Sequence, residues 1–291
     1  ILREGRPDLV LVPEFSILAL EVCLLRAVFR WKFQIISICD DSMDMIRGNE
    51  LSRLHALARK MAMPMIDDVI LPDSEACRWY REHYGKGIFF PIVRDEQAFR
   101  MQCREALPVS LSLQEEYALR GKKVVLYVGR LAPEKNLECL VRAAASLPED
   151  TVLVIVGSGS LKEELQHLAG RMQVSAIFPG WLEGVRLAAW YNLADIFVLP
   201  SLVEPFGAVV NDALAAGCFC LVSGRCGSSC LIRQGWNGEL FDPEDEERLA
   251  SLLREACRNR GVRPSFPHLK ECLMPAGFRE YVNHLMEHMG L

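Results

Sequence analysis

Short apolar runs that alternate with helical stretches constrain this chain more than any other feature. In the second half, residues 124–128, 152–156, 176–178, 196–199, 219–223 and 238–241 are brief and almost free of polar groups. Runs of that length read as strands of a parallel sheet covered on both faces. The stretches 134–147, 160–172, 183–193, 208–216, 227–233 and 244–259 read as helices. Strands separated by helices pair in parallel through crossovers, so a complete doubly wound α/β domain is predicted. The first part repeats the pattern, with strands over 9–13, 33–39, 69–72 and 88–93 and helices over 16–31, 50–62 and 74–84. Residues 95–121 are polar and mostly helical, end in Arg120-Gly121-Lys122-Lys123, and read as the linker. A tail with Pro264, Pro267 and Pro275 leads into an amphipathic helix near 276–289, with Phe278, Tyr281, Val282, Leu285 and Met286 on one side.

A chain of 291 residues has room for two domains, each with its own core. The net charge of −5 argues against non-specific nucleic-acid binding, which needs surplus Lys and Arg to neutralise phosphates. Among the eleven cysteines, Cys23, Cys39 and Cys220 lie inside apolar stretches, which suits reduced, buried thiols in a cytoplasmic protein. Cys218, Cys220, Cys226 and Cys230 lack the paired C-x2-C spacing of structural zinc, and no metal is expected. No apolar run reaches membrane-spanning length, and the first residues lack a signal-peptide layout.

Open α/β sheets bind ligands beyond the carboxyl ends of their strands, so the loops there are the place to look for chemistry. At 200–214, Pro200 stops a strand, Glu204 places a carboxylate in the loop, and Gly207 lets backbone approach a ligand. The helix that follows carries a second carboxylate, Asp212, and Gly217 is its stop. At 128–136, Arg130 and Lys135 put a planar fork and a compact charge on one loop, a pair that suits a phosphate group. Gly157-Ser158-Gly159 follows the next strand, but neither G-x-G-x-x-G nor a Walker lysine is completed. Dinucleotide oxidoreductases and P-loop enzymes lose ground accordingly. Trp181, after Phe178-Pro179-Gly180, is either an aromatic wall for a base or, more commonly for an indole, part of the core. Asp40 and Asp41 follow an apolar run, and either accept a proton or bind acceptor hydroxyls, or cap a helix or turn. Residues 24–32 mix cations with bulky apolar groups, as in a helix lying on an anionic membrane, or in an ordinary helix with a basic C-terminal end.

Taken in order, G-R-L-A-P-E-K-N, V-G-S-G, F-P-G, A-D-I-F-V-L-P-S, E-P-F-G-A-V-V-N-D-A-L and G-W-N-G-E-L-F resemble one known domain. It is the nucleotide-sugar domain of the GT-B retaining glycosyltransferases of family 4, the glycosyl transferases group 1. The likeness is dense over 122–260 and loose elsewhere. P-D-L-V-L-V-P-E at 7–14 is similar to a P-D-V-V-H-x-H segment midway through the acceptor domain.

The resemblance implies two Rossmann-like, doubly wound α/β domains with the N-terminal one incomplete. Residues 1–105 would be the acceptor side, 106–265 the donor domain, and 266–291 a helix packing back on the first domain. By that likeness the first strands and the glycine-rich loop of the acceptor domain are expected ahead of residue 7 and do not stand in this sequence, as in a fragment or a reduced domain. Exposed apolar faces in 1–100 would then need a cover, such as a second copy. The implied activity is transfer of a hexose from a nucleotide-diphosphate sugar to a carbohydrate or lipid-linked hydroxyl acceptor. Retention of configuration, no required cofactor or metal, and a place in polysaccharide or glycolipid biosynthesis go with it. So does a cytoplasmic location, with peripheral contact at the inner membrane face left open.

Residue by residue, the resemblance implies that Arg130 and Lys135 clamp the diphosphate. Glu204 and the amides of Phe206 and Gly207 hold the sugar, with Gly129, Gly157 and Gly180 lining the donor site. Asp212 stands where the family carries Glu for the ribose, so a weaker grip is expected, through a small helix shift or a bridging water. Cys230 replaces the Glu of a G-G-x-P-E stretch, and Cys39 or Asp40 replaces the histidine of V-T-x-H-D. Asp40 therefore joins Glu204, Arg130 and Lys135 as a catalytic candidate. The alternatives are a nucleotide-sugar epimerase or sugar phosphorylase on the same plan, or a non-catalytic nucleotide-sugar binding partner of another transferase. Fold resemblance does not choose among them.

Overall fold

A computed structural model describes residues 7–41, 46, 53–259 and 268–289. The start of the helix expected from residue 50, Pro264, Pro267 and the 265/266 boundary lie outside the described residues. The chain divides into two compact units, Ile1–Ile92 with Val282–Leu291, and Val93–Tyr281.

In the first unit, β1 (Leu9–Pro13), α1 (Ile17–Phe29), β2 (Gln34–Ile38), α2 (Arg53–Ala62), β3 (Asp68–Leu71), α3 (Ser74–Tyr84) and β4 (Ile88–Phe89) follow one another. The four strands pair in parallel in the order β1-β2-β3-β4. Side-chain caps start the helices: Ser16 accepts from the Ala19 amide before α1, and Asp73 from the Ala76 amide before α3. Gly85 ends α3 in the left-handed region, at φ 70°. Val12, Ile35, Val69 and Leu71 pack on one side with Ala19, Cys23 and Tyr80. Ile36, Ile70 and Ile88 form a second cluster with Leu285 and Met289. The strand expected over 88–93 shortens to two residues, because β3 ends before Pro72 and Pro91 has no N–H to donate.

The second unit opens with α4 (Glu96–Glu105) and α5 (Leu107–Glu116). Then come β5 (Lys123–Val128), a 3-10 turn (Pro133–Lys135), α6 (Leu137–Ala144), β6 (Thr151–Val156), α7 (Lys162–Arg171) and β7 (Ala176–Gly180). They are followed by α8 (Gly184–Leu193), β8 (Ile196–Leu199), α9 (Val209–Ala215), β9 (Phe219–Ser223), a 3-10 turn (Gly227–Leu231), β10 (Gly238–Phe241) and α10 (Glu246–Asn259). The helix α11 (Phe278–Met289) ends the described chain, its residues from Val282 belonging to the first unit. The six strands form a parallel sheet in the order β10-β9-β8-β5-β6-β7. The chain thus starts at the centre, winds out to one edge, returns beside β5 and winds out to the other. Every residue of β6, β8 and β9 is buried, as their apolar runs require. Each such Val, Leu or Ile contributes roughly 1.5–3 kcal/mol by leaving water.

Three expectations need correction. The stretch read as a linker is not one: Phe99, Cys103, Ala106 and Ser110 recur at helical spacing and are buried. The Ser110 hydroxyl donates to the Ala189 carbonyl and Asn192 Nδ2 to the Cys103 carbonyl, which fixes α4 and α5 to α8. The division between units accordingly falls after Ile92, upstream of the expected 105/106. The helix expected over 134–147 contracts to α6, because Asn136 takes φ 55° and breaks the path from the 3-10 turn. The helix expected over 227–233 is a 3-10 turn, held by the Ser228 amide donating to the Phe206 carbonyl at 2.7 Å.

Candidate functional site

β5 and β8 are neighbours, yet the chain leaves β5 towards β6 and leaves β8 towards β9. Loops that depart in opposite directions open a crevice at the carboxyl ends, the usual ligand site of such sheets. The loops concerned are 129–136 and 200–208. The Leu202 amide donates to the Glu134 carbonyl at 2.9 Å and ties them together. The loop after β9 joins them, through the Gly227 amide on the Glu204 carbonyl at 3.3 Å. On the other side, Gly157 at φ 144° packs so closely that a Cβ there would run into the Gly129 carbonyl. Its amide donates to the Gly180 carbonyl at 2.8 Å. Gly129, Gly157 and Gly180 thus share one layer of loops.

At the centre Lys135 Nζ donates to Glu204 Oε2 at 2.6 Å. The two side chains are only 10% and 15% exposed. Charges so far from water need a partner, and each supplies it to the other. The remaining ammonium donors and Glu204 Oε1 make no hydrogen bond among the described residues. Nor do the amides of Phe206 and Gly207. Gly207 takes φ 86°, and a Cβ there would meet the Leu199 side chain at 2.6 Å. Beside the site, the Tyr127 hydroxyl donates to the Arg130 carbonyl at 2.9 Å. Burial pushes that hydroxyl far above its ordinary pKa, and the Glu204 charge adds to the effect. Burial likewise pushes the Cys226 thiol up to about 12, again with Glu204 adding, so it stays protonated at neutral pH. The crevice therefore offers a cation for an anionic group, and a carboxylate oxygen with two amides for hydroxyls.

The other predicted residues fall elsewhere. The Arg130 guanidinium is 75% exposed and pairs with Glu134 Oε1 at 2.9 Å. Asp212 is buried, and Arg94 Nη1 donates to its Oδ1 at 2.8 Å and Oδ2 at 2.7 Å. The carboxylate expected to hold a ribose is thus occupied by a guanidinium. Burial pushes the Asp212 pKa up and Arg94 opposes that shift. Nothing in the sequence joined positions 118 apart, so Arg94 was missed. The faint signal was a lone cation beside Asp95, a helix cap. Trp181 is 66% exposed, which removes it from the core.

In the first unit Asp40 is exposed at the end of β2. Asp41 is buried, accepting from the Tyr80 hydroxyl at 2.5 Å and Arg59 Nη1 at 3.1 Å. The two acids therefore have different parts, and Asp41 anchors the unit's interior. In the 24–32 segment Arg26 pairs with Asp67 and donates to the Phe33 carbonyl, while Val28 and Phe29 are exposed. Among the described residues no helix is long and apolar enough to cross a membrane, and no group of His, Cys, Asp or Glu could hold a metal. The Cys218 thiol instead donates to the Tyr191 carbonyl at 3.5 Å.

Comparison with known proteins bears on the family and the fold. An uncharacterized glycosyltransferase of Methanocaldococcus jannaschii is 34% identical over 166 residues, which cover 53% of this chain and 43% of that protein. A GDP-mannose-dependent alpha-mannosyltransferase of Mycolicibacterium smegmatis is 32% identical over 199 residues, 67% of this chain and 47% of that one. The chain spans less than half the length of these curated relatives. Among solved structures, Anabaena HepE in complex with UDP superposes with a TM-score of 0.70 at 18% identity, covering 87% of this chain and 69% of that chain. That likeness shows the fold, two Rossmann-like domains of the GT-B type. Residues 112–268 match the family described as Glycosyl transferases group 1. That is more than half of the chain and takes in the whole six-stranded sheet, so the protein belongs to the glycosyl transferases group 1.

Proposed function

We propose that the protein transfers a hexose from a nucleotide-diphosphate sugar to a hydroxyl of a carbohydrate or lipid-linked acceptor, in polysaccharide or glycolipid assembly. The observation that carries this reading is the Lys135–Glu204 pair in the crevice between β5 and β8. Lys135 takes the diphosphate. Glu204 Oε1 and the amides of Phe206 and Gly207 take the sugar hydroxyls, and the loops of Gly129, Gly157 and Gly180 close the wall. Arg130 joins Lys135 on the diphosphate by giving up Glu134, an exposed pair worth at most about 1 kcal/mol.

In the transfer step, the bond between the anomeric carbon and the diphosphate oxygen breaks, and its electron pair leaves with the nucleoside diphosphate. The acceptor oxygen bonds to that carbon on the same face, and its proton passes to the departing phosphate. Charge builds on the leaving group, where the fixed ammonium stabilises it. Removing one such donor costs roughly 2.7–4 kcal/mol of barrier. In this reading the two cations neutralise the leaving group, and no metal or other cofactor is required. Asp40 is the acceptor-side candidate in the first unit.

A thermal-shift screen against nucleoside diphosphates and their sugars tests the site. Ligand at a hundred times its Kd stabilises by about 2.7 kcal/mol. Stabilisation lost in Lys135→Ala and Glu204→Ala supports the reading, and a uniform lack of response removes it. Transfer of labelled sugar to an acceptor then separates the enzyme from a non-catalytic binding partner.

A further inference from the structure

Arg94 lies between Pro91 and α4, where Asp95 caps the helix by accepting from the Gln97 and Ala98 amides, each at 3.0 Å. Its guanidinium is held on two sides. Nη1 donates to both oxygens of Asp212, and Cζ lies 4.9 Å from the centre of the buried Phe99 ring. The elements that carry these partners are fixed to each other, since Arg100 Nη1 on α4 donates to the Ala215 carbonyl of α9 at 2.7 Å. The Arg94 side chain is nevertheless 52% exposed, against 8% for Asp212. Both hydrogens of Nη1 serve the carboxylate. The N–H groups of Nε and Nη2 donate to nothing among the described residues.

A guanidinium anchored this way has already lost its rotamer freedom, and it offers its remaining donors in a fixed plane. Its place relative to the crevice follows from the chain. α9 continues directly from the Glu204–Gly207 loop, and Asp212 lies four residues beyond Ala208, about 6 Å along a helix axis. A nucleoside diphosphate whose diphosphate sits on Lys135 extends a comparable distance to its ribose. We propose that Arg94 is a nucleotide-contacting residue, donating to the ribose oxygens or to the phosphate joined to them, with Asp212 as its anchor. The inference rests on the donor-site reading above. It differs from a carboxylate that grips the ribose: what faces the ligand here is a set of donors, and the acid behind them is already spent.

Calorimetric titration of UDP, GDP and ADP, each beside its 2′-deoxy and 3′-deoxy counterpart, tests this. The proteins are the unaltered chain, Arg94→Gln, Arg94→Lys, Asp212→Ala and Lys135→Ala. If Arg94 donates to the ribose, the unaltered protein prefers the ribonucleotide by about tenfold, one charged hydrogen bond, and Arg94→Gln brings that ratio close to one. If it donates to the phosphate, Arg94→Gln weakens ribo and deoxy forms equally, by about the same factor. Arg94→Lys rescues neither, because an ammonium cannot serve Asp212 and the ligand from one plane. A ribose preference kept in Arg94→Gln and lost in Asp212→Ala overturns the inference, since the acid is then the contact. Unchanged affinities in Arg94→Gln, with weakened binding in Lys135→Ala, overturn it alone. No nucleotide binding by the unaltered protein overturns the donor-site reading and this inference with it. For the ribose contact the ratio is read within each variant, and for the phosphate contact the titration's stoichiometry reports the folded fraction, so a general loss of stability imitates neither result.

Discussion

Lys135 and Glu204 are 69 residues apart in sequence and meet at 2.6 Å. Each closes the loop of one strand, and the contact spans the point where the sheet changes direction. The pair therefore joins two halves of a crevice, and each member keeps the other's charge tolerable away from water.

Replacing Lys135 with Met should lower transfer by about 10² to 10³-fold, the loss of one charge-stabilising donor. It also leaves Glu204 buried without its cation, at a cost of about 3–5 kcal/mol in stability. Lys135→Met with Glu204→Gln should recover part of that stability and none of the transfer. Urea unfolding and labelled-sugar transfer on the single and double variants measure both.

Arg130→Ala should leave unfolding within about 0.5 kcal/mol, because the exposed pair with Glu134 contributes little. Nucleotide-sugar affinity should nevertheless fall about tenfold, one charged hydrogen bond. Equal affinity in the two proteins would show that this guanidinium stays on Glu134 throughout.

Gly157→Ala should destabilise strongly and abolish nucleotide binding, because the new methyl runs into the Gly129 carbonyl. Gly85→Ala is the control. It too has positive φ, but no atom lies within 4 Å of the added carbon, so its cost is conformational alone, about 1 kcal/mol. Comparison of the two unfolding midpoints separates the combined cost of that collision and of φ 144° from the ordinary cost of a left-handed residue.

Asp212 makes stability depend on pH in an unusual direction. Burial raises its folded pKa above the ordinary carboxylate value of 3.8, so the folded state binds this proton more tightly than the unfolded one. Its contribution is greatest below 3.8 and declines as pH rises through the folded value. Arg94 opposes the shift, so Arg94→Gln should extend the decline to higher pH and lose more stability at pH 7 than at pH 4. Urea midpoints across pH 3–7 in the two proteins check this, and parallel curves would contradict it.

The strands of the second unit were legible because β5, β6, β8 and β9 are covered on both faces and are apolar along most of their length, with Lys123, Thr151 and Ser223 only at strand ends. The loops were legible for a related reason, since Glu204 and Lys135 stand at fixed offsets from those strand ends. What stayed hidden was long-range or one-sided. α4 and α5 bury only a narrow stripe, including Phe99, Cys103 and Ser110, beneath a polar exterior, so they resembled a connector. The Arg94–Asp212 contact depends on α4 lying against α9, which no local pattern encodes. The direction of the Arg130 side chain was equally out of reach, because Glu134, four residues on along the same loop, competes for it.

The sheet order has a further consequence for how this protein comes into being. The walls of the crevice come from the first and fourth strands of their unit, and β8 takes its place beside β5 only after β6 and β7 have been made. A nascent chain emerging from the ribosome therefore has no Lys135–Glu204 crevice until residues past 208 are free to fold. Ligand cannot assist the early collapse of this unit, and its apolar centre must assemble unaided.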